Sequence, residues 1–309
     1  MCTIFLNMSI PIVSSQPDQL PAKATQAAVR RAFEQMAAGR AVQPLQVVTD
    51  IPGGGDVIAY QAVLADEGVY AVKVSPYLPQ AEGSAIVTAW TLLLSLRTGE
   101  PLLLIDSKAL TAERTAATTA LAVDLLARPD ARRLAVIGLG QVGRAHLRHA
   151  QAVRGFDDIR VWAPNATRWD GAGALAPSAQ AAIEGADVVL LCTSAAEPVI
   201  DVSTLAPGTL VTSISTNAPL AHEIDPAALT DLDVYADYRP AAFAAGGEMR
   251  IATRDLGYAQ ADIRGDLAGL LSGSSPAPTG DRVVFFRSVG LGIEDAAVAL
   301  AALQQKEQS

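Results

Sequence analysis

The stretch that decides the fold is Leu134-Ala135-Val136-Ile137-Gly138-Leu139-Gly140-Gln141-Val142-Gly143. An apolar strand pattern runs directly into a GxGxxG turn, and a helical pattern opens at Gly143. The spacing alone is common, but a strand before it and a helix after it supply the context in which it has a mechanism. Gly138 permits the tight turn, Gly140 lets a pyrophosphate approach the backbone, and Gly143 lets the helix pack closely on the strand. The diphosphate then meets free N–H groups at a helix N-terminus. Gly138, Gly140, Gln141, Val142 and Gly143 are therefore the expected cofactor-binding turn.

Downstream of this loop, strand patterns alternate with helical ones: IRVWA (159–163), a helix over 178–184, DVVLLCT (187–193), TLVTSIS (209–215), DVYADY (233–238) and VVFFRSVG (283–290). Such alternation predicts an α/β protein with a Rossmann-type, doubly wound parallel sheet. LSGSSPAPTG (271–280) reads as a surface loop.

Upstream, an amphipathic helix over 23–39 precedes β-rich stretches at 46–49, 57–64, 70–75, 84–96 and 101–106, with Arg97-Thr98-Gly99-Glu100 as a hairpin turn. A long helical run starts near Thr111 and ends before Pro129, and the final helical pattern IEDAAVALAALQQ is expected to pack back on the first domain. The reading is a discontinuous α+β substrate-binding and dimerisation domain over 1–120, completed by 290–309, with a Rossmann NAD(P)-binding domain at 121–289.

Half of the 309 residues are hydrophobic and 18% are charged, enough apolar material for a large core with some left to bury against a second copy, so a homodimer is expected. The net charge of −9 argues against nucleic acid as a partner, although a locally basic pocket can hold an anionic metabolite. No apolar run approaches membrane-spanning length, so no membrane partner is expected. The N-terminus MCTIFLNMSIPIV has no basic residue before Lys23 and reads poorly as a secretory signal. Cys2 and Cys192 are too few for a disulfide framework and not spaced as a metal pair, which fits a cytoplasmic setting. His146 and His149, one helical turn apart without a third ligand, read as helix-surface residues, His222 as structural and Cys192 as a core thiol; no metal is expected.

An acidic residue about 20 positions beyond the glycine loop would hold the ribose hydroxyls of NAD. Here the second strand leads into Ala163-Pro164-Asn165-Ala166-Thr167-Arg168, and the acid is missing. Asn165 and Arg168 suit a 2′-phosphate, so NADPH is the expected cofactor, with NADH as the alternative.

Outside the glycine loop, Val72-Lys73-Val74, LTAERTAA (110–117), Ser288-Val289-Gly290 and Glu294-Asp295 resemble the ornithine cyclodeaminase/μ-crystallin family, in order and over nearly the whole chain. SPYLP (75–79), VTAWTLLLS (87–95), TGEPLLL (98–104), LVTSISTNAPLAHE (210–223), DVYADYR (233–239) and FFRSVGLGIED (285–295) are most similar to its bacterial Δ1-pyrroline-2-carboxylate reductases. The resemblance implies reduction of Δ1-pyrroline-2-carboxylate to L-proline, with Δ1-piperideine-2-carboxylate to L-pipecolate beside it, in trans-3-hydroxy-L-proline or related imino-acid catabolism.

It also implies that Lys73 and Arg114 hold the substrate carboxylate, that Arg114 is shared with the cofactor, and that Asp237 is the catalytic aspartate. Gln46 and Tyr60 would complete the substrate site, and Thr88, Thr115 and Ser288 would line the cofactor. Many relatives carry an arginine where Pro44-Leu45-Gln46 places Gln46, so carboxylate binding is left to Lys73 and Arg114. The alternatives are an ornithine/lysine cyclodeaminase with tightly bound NAD, or a non-catalytic NADPH- or ligand-binding protein like a μ-crystallin.

Overall fold

The computed structural model describes residues 12–14, 20–80, 84–215 and 220–307. Cys2, most of the apolar N-terminal stretch and residues 216–219 of the matched segment lie outside them. The first sheet contains β1 (Ile12–Ser14), β2 (Ala41–Val42), β3 (Val47–Asp50), β4 (Asp56–Leu64), β5 (Val69–Pro79), β6 (Ala85–Val87), β7 (Trp90–Ser95) and β8 (Pro101–Asp106). Its order is β1-β8-β7-β5-β4-β2, with β3 added to β4 and β6 to β5. The pairings are antiparallel except for β1 on β8.

Alternation sets the two faces of this sheet. In β5, Val69, Ala71 and Lys73 are buried, whereas Val74 is exposed. Lys73 therefore points inward with the core residues of its own strand, a direction that alternation by itself leaves open.

The helix α1 (Ala22–Ala37) packs on α2 (Lys108–Leu126), which connects the two sheets. The second sheet follows: β9 (Arg133–Ile137), α3 (Gln141–Val153), β10 (Asp158–Trp162), β11 (Ala174–Leu175), α4 (Ala179–Ile183), β12 (Val188–Leu191), β13 (Leu210–Ser213), β14 (Asp233–Ala236), α5 (Arg239–Ala245), α6 (Gly247–Leu256), β15 (Gly265–Asp266), α7 (Leu267–Ser272) and β16 (Val284–Arg287). The order β11-β10-β9-β12-β13-β16-β14-β15 is parallel throughout, and it reverses between β9 and β12. In open α/β sheets that reversal is where ligands bind, at the carboxyl ends of the strands. The chain closes with α8 (Gly292–Glu307), which lies against β4, β5, β7, α1 and α2.

The expected Rossmann-type α/β sheet is present. Its central strands are buried along their whole length, as parallel strands covered on both faces must be. Three details differ from expectation. The segment 84–96 divides into β6 and β7. Helices α5, α6 and α7 occupy a stretch between DVYADY and the loop to which the sequence pattern assigns no element, and the loop at 271–280 begins inside α7 and is tied down by the Tyr235 hydroxyl, which donates to the Pro276 carbonyl at 2.9 Å.

The third difference is a correction. His146 and His149 are not on the helix surface: they are 1% and 0% exposed, because that face of α3 is covered by α2 and α1. His146 Nε2 lies 3.0 Å from Thr119 Oγ1 and its Nδ1 lies 2.8 Å from the Val142 carbonyl, while His149 Nε2 sits 3.0 Å from Glu113. Burial pulls His146 down to about 4, so it stays neutral and serves the packing of α3 on α2.

Candidate active site

The glycine loop divides its three glycines between two tasks. A Cβ on Gly143 would lie 1.8 Å from the Gly138 carbonyl oxygen, and one on Gly138, whose φ is +104°, would lie 2.4 Å from the Cys192 carbonyl. These two glycines are required by strand, turn and helix packing. Around Gly140, by contrast, a Cβ meets nothing within 4 Å, and no side chain caps the α3 N-terminus there. This open side, with free N–H groups behind it, fits a diphosphate. Gln141 is exposed beside it, and Val142 packs on Ala112, Ala116 and Ala145, which brings α2 and Thr115 up to the loop.

Past β10, Asn165 and Arg168 are exposed, as a 2′-phosphate site requires. The structure adds Arg144, which the spacing does not single out although it directly follows Gly143. Its guanidinium lies 4.5 Å from the Trp169 ring and donates to Asp170 at 2.9 Å, holding that carboxyl below its usual range.

The other polar cluster grows from the inner face of the first sheet. Lys73 is paired in register with Tyr60 on one side and Thr91 on the other. Gln46 directly precedes β3, whose first pair is Val47 with Ala59, so it continues the same row next to Tyr60. The Lys73 ammonium stands 4.3 Å from the Tyr60 ring centroid and donates to Asp295 at 2.9 Å. From α2, Arg114 donates through Nε to Asp295 at 3.1 Å and through Nη1 to Glu294 at 2.8 Å. Glu294 Oε1 is buried and has no hydrogen-bond partner among the described residues. At the start of α8, Gln43 Oε1 accepts the Ile293 N–H at 3.0 Å and fixes the turn that delivers both acids.

Gly290 completes this arrangement. Its φ is +81°, and a Cβ there would lie 2.5 Å from Arg114 Nη1. The turn that carries it hangs from Asp237: Oδ2 accepts the Ser288 hydroxyl at 3.0 Å and the Val289 and Gly290 N–H groups at 2.7 and 3.0 Å, and Oδ1 accepts Tyr238 N–H at 2.7 Å. Thr88 is half-buried at the β6–β7 junction, where its carbonyl accepts the Ser75 hydroxyl.

Burial dominates the electrostatics. It lowers Lys73 to about 8, helped by the Arg114 charge and opposed by Asp295. It raises Glu294 to about 8, with Arg114 opposing and Asp237 and Asp295 adding. Arg114 itself is held above its ordinary range because Asp295 and Glu294 outweigh its desolvation. Tyr60 is pushed up to about 12 by burial, and Asp237 is raised by burial against the pull of its hydrogen bonds.

The structure thus brings Tyr60, Lys73, Arg114, Asp237 and Ser288 into one assembly, with Gln46 along its row. Asn165 and Arg168 stand past β10, at the far end of the cofactor cradle. Glu294 and Asp295 are matched as a sequence pair without an assigned role, and Gln43 is not singled out at all; their contacts span about 180 to 250 positions, beyond any local pattern.

The model of the ornithine cyclodeaminase/mu-crystallin family matches residues 18–308. The chain belongs to that family. The NAD(P)H-dependent anabolic L-arginine dehydrogenase DauB of Pseudomonas aeruginosa is 50% identical over 283 residues, 89% of this chain and 90% of that one. The ketimine reductase mu-crystallin of Mus musculus is 27% identical over 84% of each chain. The solved Δ1-pyrroline-2-carboxylate reductase of Thermococcus litoralis, in complex with NADH and L-proline, has a TM-score of 0.88 and 26% identity, covering 96% of this chain and 97% of that one.

Proposed function

We propose that this protein is an NAD(P)H-dependent reductase of a 2-imino carboxylate, forming an L-amino acid. The observation that carries the reading is the buried Lys73–Arg114 pair beside a glycine loop that fits a dinucleotide. Reduction of a C=N bond next to a carboxylate needs a cationic anchor for the carboxylate and an environment that tolerates an iminium. Lys73 and Arg114 provide the anchor, Arg114 as a planar fork and Lys73 as a point charge. Asp237 holds the Ser288–Gly290 turn against Arg114 and places a carboxylate close to the reacting nitrogen. The cofactor, when bound, supplies the hydride; Gly138, Gly140, Gln141, Val142, Gly143, Thr115 and Ser288 would hold it, with Asn165 and Arg168 at its adenosine end.

The 50% identity to an anabolic L-arginine dehydrogenase favours an open-chain substrate, the imine formed from 5-guanidino-2-oxopentanoate and ammonia. A second reading, the cyclic Δ1-pyrroline-2-carboxylate reduced to L-proline, is favoured by the match to a reductase that holds L-proline. The cyclodeaminase reading fits less directly because the acid that would hold the ribose of a tightly bound NAD is missing beyond β10, and the binding-only reading because Lys73, Arg114 and Asp237 are all retained.

We also assign 1–120 with 290–309 to substrate binding and dimerisation, and 121–289 to cofactor binding, in a cytoplasmic homodimer. Supporting the dimer, the outer face of the first sheet carries exposed Val74 and Trp90, paired in register, with Leu92 and Leu94 along the same strand face. No helix among the described residues is long and apolar enough to cross a membrane.

The test is loss of reduced-nicotinamide absorbance with NADPH and, separately, NADH. Oxidation with 5-guanidino-2-oxopentanoate plus ammonia, giving L-arginine, supports the first reading; oxidation with Δ1-pyrroline-2-carboxylate, giving L-proline, supports the second. Neither, with ammonia released from ornithine in the presence of NAD, would establish a cyclodeaminase instead.

A further inference from the structure

The charge balance of the site poses a problem for any anionic substrate. Two cations, Lys73 and Arg114, already face two carboxylates, Asp295 and Glu294, and a third carboxylate, Asp237, lies behind Arg114. All five groups are at most 6% exposed. A substrate carboxylate arriving here adds a buried negative charge with no cation left to meet it, and such a charge is tolerated only if a neighbour is neutralised.

The three carboxylates are unequal candidates for that neutralisation. Asp237 accepts four hydrogen bonds, all from N–H or O–H groups that cannot turn away without breaking the Ser288–Gly290 turn. Asp295 bridges both cations. Glu294 receives only Arg114 Nη1, on Oε2, and its Oε1 is buried without a partner. We propose that Glu294 is the proton-accepting counterpart of Arg114: it carries a proton whenever a substrate carboxylate claims Arg114, taking that proton up on binding where the empty site is ionised and releasing it there when the site empties.

Among the described residues, the titratable groups facing Glu294 all enter this balance: Arg114 from α2, Asp295 from α8, Asp237 from the end of β14, and Lys73 and the neutral Tyr60 from the first sheet. Burial has already brought Glu294 up to about 8, so its proton is exchangeable under physiological conditions. Below that value the free site is already protonated and receives the anion directly; above it, binding must draw a proton from solvent. The inference rests on the imino-carboxylate reading only in requiring that the ligand carry a carboxylate.

Infrared difference spectroscopy of protein labelled with 13C-glutamate tests it. With no ligand, a protonated glutamic acid carbonyl band should disappear as pH rises through about 8, and it should be missing in Glu294→Gln. Adding L-arginine, and separately L-proline, to the protein saturated with NADPH at mildly alkaline pH forms a complex that cannot turn over; the band should return on binding. In Glu294→Gln the amino acid should still bind, with no such band and with an affinity that no longer shares the wild-type alkaline decline in full. A ligand-free protein without the band, or a wild type that binds either amino acid without regaining it, overturns the role of Glu294. If the ligand-free titration is seen and neither amino acid binds, it is the imino-carboxylate reading that fails.

Discussion

Arg287 and Arg114 are both buried arginines paired with a glutamate, and they differ in what else their donors and neighbours are. Arg287 is 0% exposed: Nη1 donates to the Ser213 hydroxyl, Nη2 to the Ser215 carbonyl, and Nε lies 3.0 Å from Glu248. Beside it, Glu223 accepts N–H groups from Thr193, Ile214 and Ser215 together with the Thr193 and Ser213 hydroxyls. This network binds the carboxyl ends of β12, β13 and β16 to one another. Arg114 instead keeps 6% of its surface, abuts a glycine, and shares Asp295 with a second buried cation, Lys73; an unused glutamate oxygen does not separate the two, since among the described residues Glu248 leaves both of its oxygens without a hydrogen bond and Glu294 leaves Oε1. Neither burial of a charge nor an unused oxygen beside it marks a working site by itself; two buried cations on one carboxylate, Lys73 and Arg114 on Asp295, are what set this cluster apart.

The largest effect that would break this contrast belongs to Arg114. Arg114→Gln should lower kcat/KM by about 2–5 kcal/mol of binding, roughly 30- to 5,000-fold at 1.36 kcal/mol per tenfold. NADPH affinity, followed by fluorescence, should change far less. Arg287→Met should do the opposite: folding stability should fall by about 3–5 kcal/mol because Glu248 loses its buried partner, visible as an earlier urea midpoint, while the folded fraction keeps its turnover. Activity lost without stability in Arg287→Met would reverse the two assignments.

A smaller effect sharpens the electrostatic half. Lys73 and Glu294 both titrate near 8, one losing positive charge and the other gaining negative charge as pH rises. Both changes weaken carboxylate binding, so KM should climb on the alkaline side of about 8 and stay flat below it. A profile that improves above that value would contradict both shifts. The smallest effect lies at the adenosine end: Arg168→Ala, and independently Arg144→Ala, should raise KM for NADPH about tenfold, the scale of one charge-assisted hydrogen bond, and leave KM for NADH nearly unchanged.

How far these regions are legible in sequence follows from how local their physics is. The glycine loop is legible because its turn, approach and packing requirements fall within six consecutive residues. The alternation of strands and helices gives the sheet class in the same way. The strand order is another matter: nothing local indicates that β16 inserts between β13 and β14. The histidines of α3 are misplaced by a surface reading because α3 is covered on the His146–His149 side by α2 and α1, which no spacing within α3 records. In the site, Lys73 and Arg114 are recoverable by resemblance, but their partners Glu294 and Asp295 acquire meaning only when α8 folds back across the first sheet.

The placement of β16 has a consequence for the order of events during synthesis. Among the described residues, the strand latest in the sequence, β16, occupies an interior position of the second sheet, and the helix after it brings the acids that neutralise Lys73 and Arg114. Until that segment emerges, β13 and β14 lack their shared neighbour and the two cations lack their counter-ions. Domains that form progressively on the ribosome can begin to work early. Here, by contrast, a product truncated ahead of Val284 would have neither a closed sheet nor a balanced site.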